Sequence, residues 1–130
     1  MWNNVDTWID DGEEWSDHFE TTDNLWDVII LPKIKPYIKG DVLEIAPGHG
    51  RITRKLLESN INLDILDLSD TCIERCRKRF DLTDINSNSK DFIISFDSFV
   101  HMHEEVINSY LSEINRVLKL DGYLIANSSR

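Results

Sequence analysis

The sequence predicts an α/β fold: a doubly wound, mostly parallel sheet of about four strands. Three observations predict it. Short apolar runs at 42–46, 63–68, 91–96 and 123–126 alternate with helical patterns at 51–58, 70–80 and 104–118. The turns between them are short, and strand–helix alternation of this kind builds parallel sheets. The first run ends in an acid and enters a small-residue turn, Ala46-Pro47-Gly48-His49-Gly50, the form of a strand delivering a glycine-rich loop into a helix.

Along the chain, residues 1–38 form a helical cap ahead of the 42–130 core, within one domain. The cap holds all four tryptophans, Trp2, Trp8, Trp15 and Trp26. Residues 6–19 are acidic and aromatic and predict one or two short helices. Asp23 can cap a helix starting at Asn24, with Leu25, Val28, Ile29 and Leu31 as its apolar stripe. Pro32 and Pro36 kink or interrupt that helix. Lys39-Gly40-Asp41 turns into the first strand, 42–46, and helix 51–58 follows the glycines. The second strand, 63–68, leads to helix 70–80, capped by Ser69 or Asp70. The third strand, 91–96, leads to helix 104–118, with Val106, Ile107, Tyr110, Leu111, Ile114 and Val117 inward. Asp121-Gly122 is read as a turn before the last strand, 123–126.

Composition narrows the partners. The formal net charge is −10, from 24 acids against 14 Lys and Arg, which argues against binding a nucleic-acid backbone or an anionic membrane surface. The dense basic cluster Arg75, Arg77, Lys78 and Arg79 closes a helix, where it complements the dipole. There is no signal-peptide pattern at the start and no apolar run near a membrane span. Cys72 and Cys76 stand four apart in one helical stretch. Two such residues make no zinc site and read as buried thiols in a reducing cytoplasm. His101, His103 and Glu104 read as a helix entry, so no metal is expected.

The glycine loop points to a nucleotide-type cofactor, a dinucleotide or S-adenosylmethionine. A dinucleotide fingerprint needs Gly or Ala three residues after Gly50, and Thr53 stands there instead. Asp67, ending the second strand, suits a ribose diol under either reading. His49 is read as facing solvent, or less favourably as lining an acceptor pocket.

Four ordered blocks resemble class I S-adenosylmethionine-dependent methyltransferases: 42–51, Val-Leu-Glu-Ile-Ala-Pro-Gly-His-Gly-Arg; 66–69 with Cys72-Ile73-Glu74; 91–102; and 115–124, Asn-Arg-Val-Leu-Lys-Leu-Asp-Gly-Tyr-Leu. They span about two-thirds of the chain. The resemblance implies a Rossmann-like fold and S-adenosyl-L-methionine as cofactor. Glu44, Ala46, Pro47, Gly48 and Gly50 would cradle its methionine end. Asp67 would accept the ribose hydroxyls and Leu68 would pack on adenine. Ser95 and Phe96 would line the place where donor meets acceptor, and Trp15 belongs to an aromatic leader similar to the cap of some small-molecule methyltransferases. His101 and Asp97, beyond the third strand, are the candidate catalytic bases, His101 the better because imidazole titrates near neutrality.

Against the family pattern, the stretch from 80 to 91 is too short for the usual edge strand and loop. The sheet order expected is 2-1-4-5 in the family's labels, with one strand missing. A right-handed crossover would then move helix 70–80 to the opposite face; a left-handed crossing or an exchange of halves between chains are the alternatives. The family's final antiparallel strands are also absent, so the apolar edge at 123–126 invites pairing and predicts a homodimer. The expected activity is methyl transfer to a small-molecule acceptor. The alternatives are an S-adenosylmethionine-binding domain without turnover and an NAD-binding domain.

Overall fold

The computed structural model describes residues 16, 18–67, 70–80 and 90–127. Trp2, Trp8, Trp15, Leu68, Ser69 and the 81–89 connection lie outside them. The order is α1 (Thr22–Leu25), a π-helical turn (Trp26–Ile30), α2 (Leu31–Ile34), β1 (Gly40–Ile45), α3 (Thr53–Leu56), β2 (Ile61–Leu66), α4 (Asp70–Phe80), β3 (Lys90–Ser95), a 3-10 turn (Phe99–His101), α5 (Glu104–Val117) and β4 (Leu118–Ala126). The four strands form one sheet in the order β2-β1-β3-β4, and every pairing is parallel. The expected α/β sheet and its strand order are therefore present.

The central strands explain their own composition. Val42, Leu43 and Ile45 of β1 and Phe92, Ile93 and Ile94 of β3 are all buried, as continuous apolar strands covered on both faces must be. On one face, Leu25, Trp26, Ile30, Ile34, Ile52 and Leu56 pack on Val42, Phe92 and Ile94. On the other, Tyr110 and Ile114 of α5, with Phe99, pack on Leu43, Ile45 and Ile93. The inward positions 107, 110, 114 and 117 of α5 follow a helical stripe, whereas Val106 and Leu111, expected inward, are exposed.

The entry helix departs from expectation in a way Pro32 explains. Thr21, not Asp23, is the cap: its hydroxyl accepts from Asn24 N at 3.1 Å. Asp23 instead pairs with Arg54 at 3.0 Å and Lys55 at 3.1 Å. The chain stays helical up to and through Pro32 because the preceding turn widens, Leu31 N–H reaching back to Trp26 O. A π turn accommodates the proline ring and rotates the helix face. Val28 is thereby turned outward and Ile30 and Ile34 inward.

Other bounds shift for reasons of pairing. Residues 48–52 are turns, so α3 starts at Thr53 rather than at 51. β2 begins at Ile61 because it pairs residue for residue with β1 from Gly40 to Ile45. Gly40 takes a left-handed backbone, φ 66°, and a Cβ there would displace Asp91 Oδ2, the oxygen that accepts from Asp41 N at 2.8 Å, so glycine suits it on both counts. The expected turn at Asp121-Gly122 is a bulge inside β4, since Lys90 pairs with Leu118 but Phe92 with Tyr123.

α4 settles part of the crossover question. Cys76 is buried, donates to Gly48 O at 3.4 Å and contacts Thr53 of α3. α4 therefore lies on the α3 side of the sheet, not on the opposite face. The segment completing the crossing, 81–89, is outside the described residues.

Candidate functional site

The carboxyl ends of β1, β2 and β3 lie side by side, where ligands of such sheets bind. Each contributes polar groups. Glu44, near the end of β1, is 3% exposed, and its Oε2 accepts from Thr53 Oγ1 at 2.6 Å. Burial, with a smaller contribution from the Asp67 charge, pushes its carboxyl up to about 7 against the pull of the Thr53 bond. Glu44 thus anchors the start of α3 to β1 beneath the loop.

After β1 the chain turns at Ala46, whose φ is 57°, and at Gly48 and Gly50, with φ of 59° and 92°. The two glycines adopt this left-handed backbone at no steric cost, while Ala46 is strained. Pro47, His49 and Gly50 are buried with Arg51 and Ile52, so the loop is packed into the protein. His49, expected to face solvent, is 1% exposed; it is folded in with the rest of the loop.

Three of the loop's N–H groups, those of Ala46, Gly48 and Gly50, are already bonded within the protein. Ala46 N donates to Leu66 O at 2.6 Å and Gly50 N to Pro47 O at 3.0 Å. Gly48 N donates to Asp67 Oδ2 at 3.3 Å. The loop's carbonyl oxygens also accept within the protein, Pro47 O from Gly50 N and Gly50 O from Arg54 N at 3.1 Å, though each carbonyl keeps a second lone pair. Ala46 O accepts from Ser98 Oγ at 3.3 Å. Gly48 O takes the thiol of Cys76, which stays protonated because burial, with the charges of Glu44 and Cys72 behind it, pushes it up to about 12.

At the end of β3, Ser95 is buried and its hydroxyl has no hydrogen-bond partner among the described residues. Phe96 is half-buried and packs against the α1–α3 core. Asp97 has a φ of 62°; its N–H donates to Asn127 Oδ1 at 2.6 Å, and its Oδ2 pairs with Arg51 Nη2 at 3.2 Å. His101 is exposed at the end of the 3-10 turn. Beneath the sheet, the Tyr110 hydroxyl is buried without a partner among the described residues. Burial and the charge of Asp67 both raise its pKa.

Of the residues expected at the site, Glu44, Ala46, Pro47, Gly48, Gly50, Asp67, Ser95, Phe96 and Asp97 are gathered at these strand ends, with His101 beyond. Trp15 and Leu68 lie outside the described residues. Sequence reasoning missed Arg51, Ser16 and the role of Thr53. The signal for Thr53 was present: a hydroxyl at the first helical position after the glycine loop can fold back onto the strand-end acid, whereas by motif Thr53 marks only a departure from a dinucleotide pattern. Nothing in sequence marks Arg51 as buried. Among the described residues no cluster of three or more His, Cys, Asp or Glu could hold a metal, and no helix is long and apolar enough to cross a membrane.

Residues 42–122 match a family model described as a methyltransferase domain. No curated protein sequence matches the chain. Among solved structures, a protein from Pyrococcus horikoshii superposes with a TM-score of 0.69 at 20% identity, over 98% of this chain and 62% of that one. An S-adenosylmethionine-dependent methyltransferase from Clostridium acetobutylicum gives a TM-score of 0.62 at 22% identity, over 78% and 48%. A glycopeptide N-methyltransferase complexed with S-adenosyl-L-methionine gives 0.59 at 19% identity, over 67% and 43%. The chain thus spans 62% of the first structure's length and under half of the other two.

Proposed function

The chain belongs to the methyltransferase-domain family, among the class I S-adenosylmethionine-dependent methyltransferases, and from that premise we propose that it transfers a methyl group from S-adenosyl-L-methionine to a small-molecule acceptor. One observation carries the choice of cofactor within the site. The N–H groups of Ala46, Gly48 and Gly50 are consumed inside the protein, while carbonyl and carboxylate oxygens gather at the strand ends. A dinucleotide's pyrophosphate needs free N–H donors at this loop. The ammonium of a methionine end needs acceptors, which the second lone pairs of the loop carbonyls can supply; a ribose diol, common to both cofactors, is served by Asp67 in either case. The orphaned Ser95 hydroxyl at the end of β3 also fits a ligand that completes its bonding.

In this reading the carbonyls of the 46–50 loop receive the amino acid end, and Glu44 holds the loop's shape from below through Thr53. Asp67 accepts ribose hydroxyls, and Leu68 and Trp15 are assigned by resemblance to the adenine and to the cofactor. Ser95 and Phe96 border the acceptor. The cofactor supplies a methyl group already activated by its sulfonium charge. The residues are left to align the acceptor and exclude water, and alignment alone is worth up to ~7–11 kcal/mol. His101, exposed beyond β3, is the group placed to take a proton from a hydroxyl or amine. Asp97, bonded to Arg51, supports the segment that carries it.

The same reading puts the protein in the cytoplasm, where the free thiols of Cys72 and Cys76 persist, with no nucleic-acid or membrane partner. It also expects a homodimer through the edge of β4, where Leu120 and Tyr123 are exposed; a monomer mass by light scattering at micromolar concentration contradicts that. Calorimetry with S-adenosylhomocysteine and with NAD tests the cofactor, S-adenosylhomocysteine alone being expected to bind. Labelled donor with a broad panel of amines and hydroxyl acceptors tests turnover. Binding with no transfer across the panel favours the idle-domain alternative.

A further inference from the structure

We infer that Arg51 is a positioning residue that locks three segments around the mouth of the site to the glycine loop, so that filling the loop and ordering the acceptor side are one event. The inference rests on the reading of that loop as an S-adenosylmethionine site. Arg51 follows Gly50 directly, and its side chain is only 10% exposed. Nη1 donates to Ser16 Oγ at 2.9 Å, and Nη2 donates to Asp97 Oδ2 at 3.2 Å. Ser16 Oγ is in turn 2.7 Å from Thr22 Oγ1, at the start of α1. Asp97 N–H is held by Asn127, just past β4. One guanidinium therefore joins the loop to the segment before α1, to the exit of β3 and, through Asp97, to the exit of β4.

A buried cation is costly unless its donors are satisfied, and joining two helices would not require this arrangement. Asp97 makes the case stronger. Its left-handed backbone is uncommon outside glycine, even for an aspartate, which tolerates it better than most, and such a conformation persists where surroundings support it. Arg51 on its carboxylate and Asn127 on its amide hold the residue in place on both sides. Ser98 Oγ bonds the carbonyl of Ala46, the other strained strand end, so the exits of β1 and β3 are tied twice. His101 lies three residues beyond Ser98. A shift of the loop as it takes up ligand is thereby passed to the segment where an acceptor meets its base. Lysine cannot replace arginine here, because a single ammonium lacks the planar fork that serves two partners.

The test is hydrogen exchange with and without S-adenosylhomocysteine, on wild type, Arg51→Lys and Ser16→Ala, alongside calorimetric affinity. Wild type is expected to gain protection on binding at the loop, around Ser16–Thr22 and across 97–101. Arg51→Lys should still bind, ~10-fold more weakly, the loss of one charge-assisted bond, and keep protection in the loop while losing it in both other segments. Ser16→Ala should lose only the protection around Thr22. Arg51→Lys with a lower Tm but the wild-type protection pattern would show a merely structural arginine and overturn the inference. Failure of the wild type to bind S-adenosylhomocysteine would overturn the underlying reading and the inference with it.

Discussion

The ends of β1 and β3 leave the sheet alike, each through a non-glycine residue in the left-handed region, Ala46 at φ 57° and Asp97 at 62°. Beyond that point they diverge. The β1 exit runs into a largely buried loop in which the N–H groups of Ala46, Gly48 and Gly50 are bonded internally and whose base is a buried acid on a buried hydroxyl. The β3 exit runs into a 3-10 turn and a helix start where His101, His103, Glu104 and Glu105 are all exposed. The first is part of the core and shares its packing. The second is surface beyond a few ties: Asp97 to Arg51 and Asn127, Ser98 to Ala46, and the buried ring of Phe99. On the proposed reading the first holds the donor and the second meets the acceptor, so cofactor affinity should be bound up with stability and acceptor choice should not.

Substitutions can break or sharpen that contrast. The largest effect belongs to Glu44. Its carboxyl sits at about 7 in the folded chain against an ordinary 4.5, so the native state holds the proton more tightly than the unfolded chain. The stability this gives is full below pH 4.5 and is lost as pH rises through about 7, a swing of ~3 kcal/mol. Urea melts from pH 4 to 8 should show wild type declining across this window and Glu44→Gln, which keeps an acceptor for Thr53, declining less; parallel curves would remove Glu44 from the account. Next, Thr53→Val strands the buried acid without its donor and should cost about 2 kcal/mol, read from the same melts, and weaken S-adenosylhomocysteine binding. Gly50→Ala places a Cβ at φ 92° and should cost about 1–2 kcal/mol, with cofactor affinity falling in parallel. On the β3 side, His101→Ala should stay within ~0.5 kcal/mol of wild type while methyl transfer to an acceptor that needs deprotonation drops at least tenfold. A destabilised His101→Ala protein would erase the contrast.

The sheet was readable because its signals are local. Continuous apolar runs at β1 and β3 mark central strands, and the glycine pair marks the exit of the first. Helix α4 matches its expected bounds, 70–80. What was not readable depends on partners far along the chain. Thr21 rather than Asp23 caps α1 because Asp23 is drawn to Arg54 and Lys55, some thirty residues on. The turn at Asp121-Gly122 becomes a bulge because register with β3 decides it. His49 and Arg51 look like solvent-facing loop and helix residues by type. Arg51 is buried where it meets Ser16 and Asp97, 35 residues before it and 46 after it in the chain.

The central claim is that Asp67 and the 46–50 loop form the donor site. Titration of S-adenosylhomocysteine into wild type and Asp67→Ala by calorimetry tests it most directly. The account predicts binding by wild type and at least ~10-fold weaker binding by Asp67→Ala, as loss of hydrogen bonds to a charged acceptor requires. Equal affinity of the two proteins would contradict it.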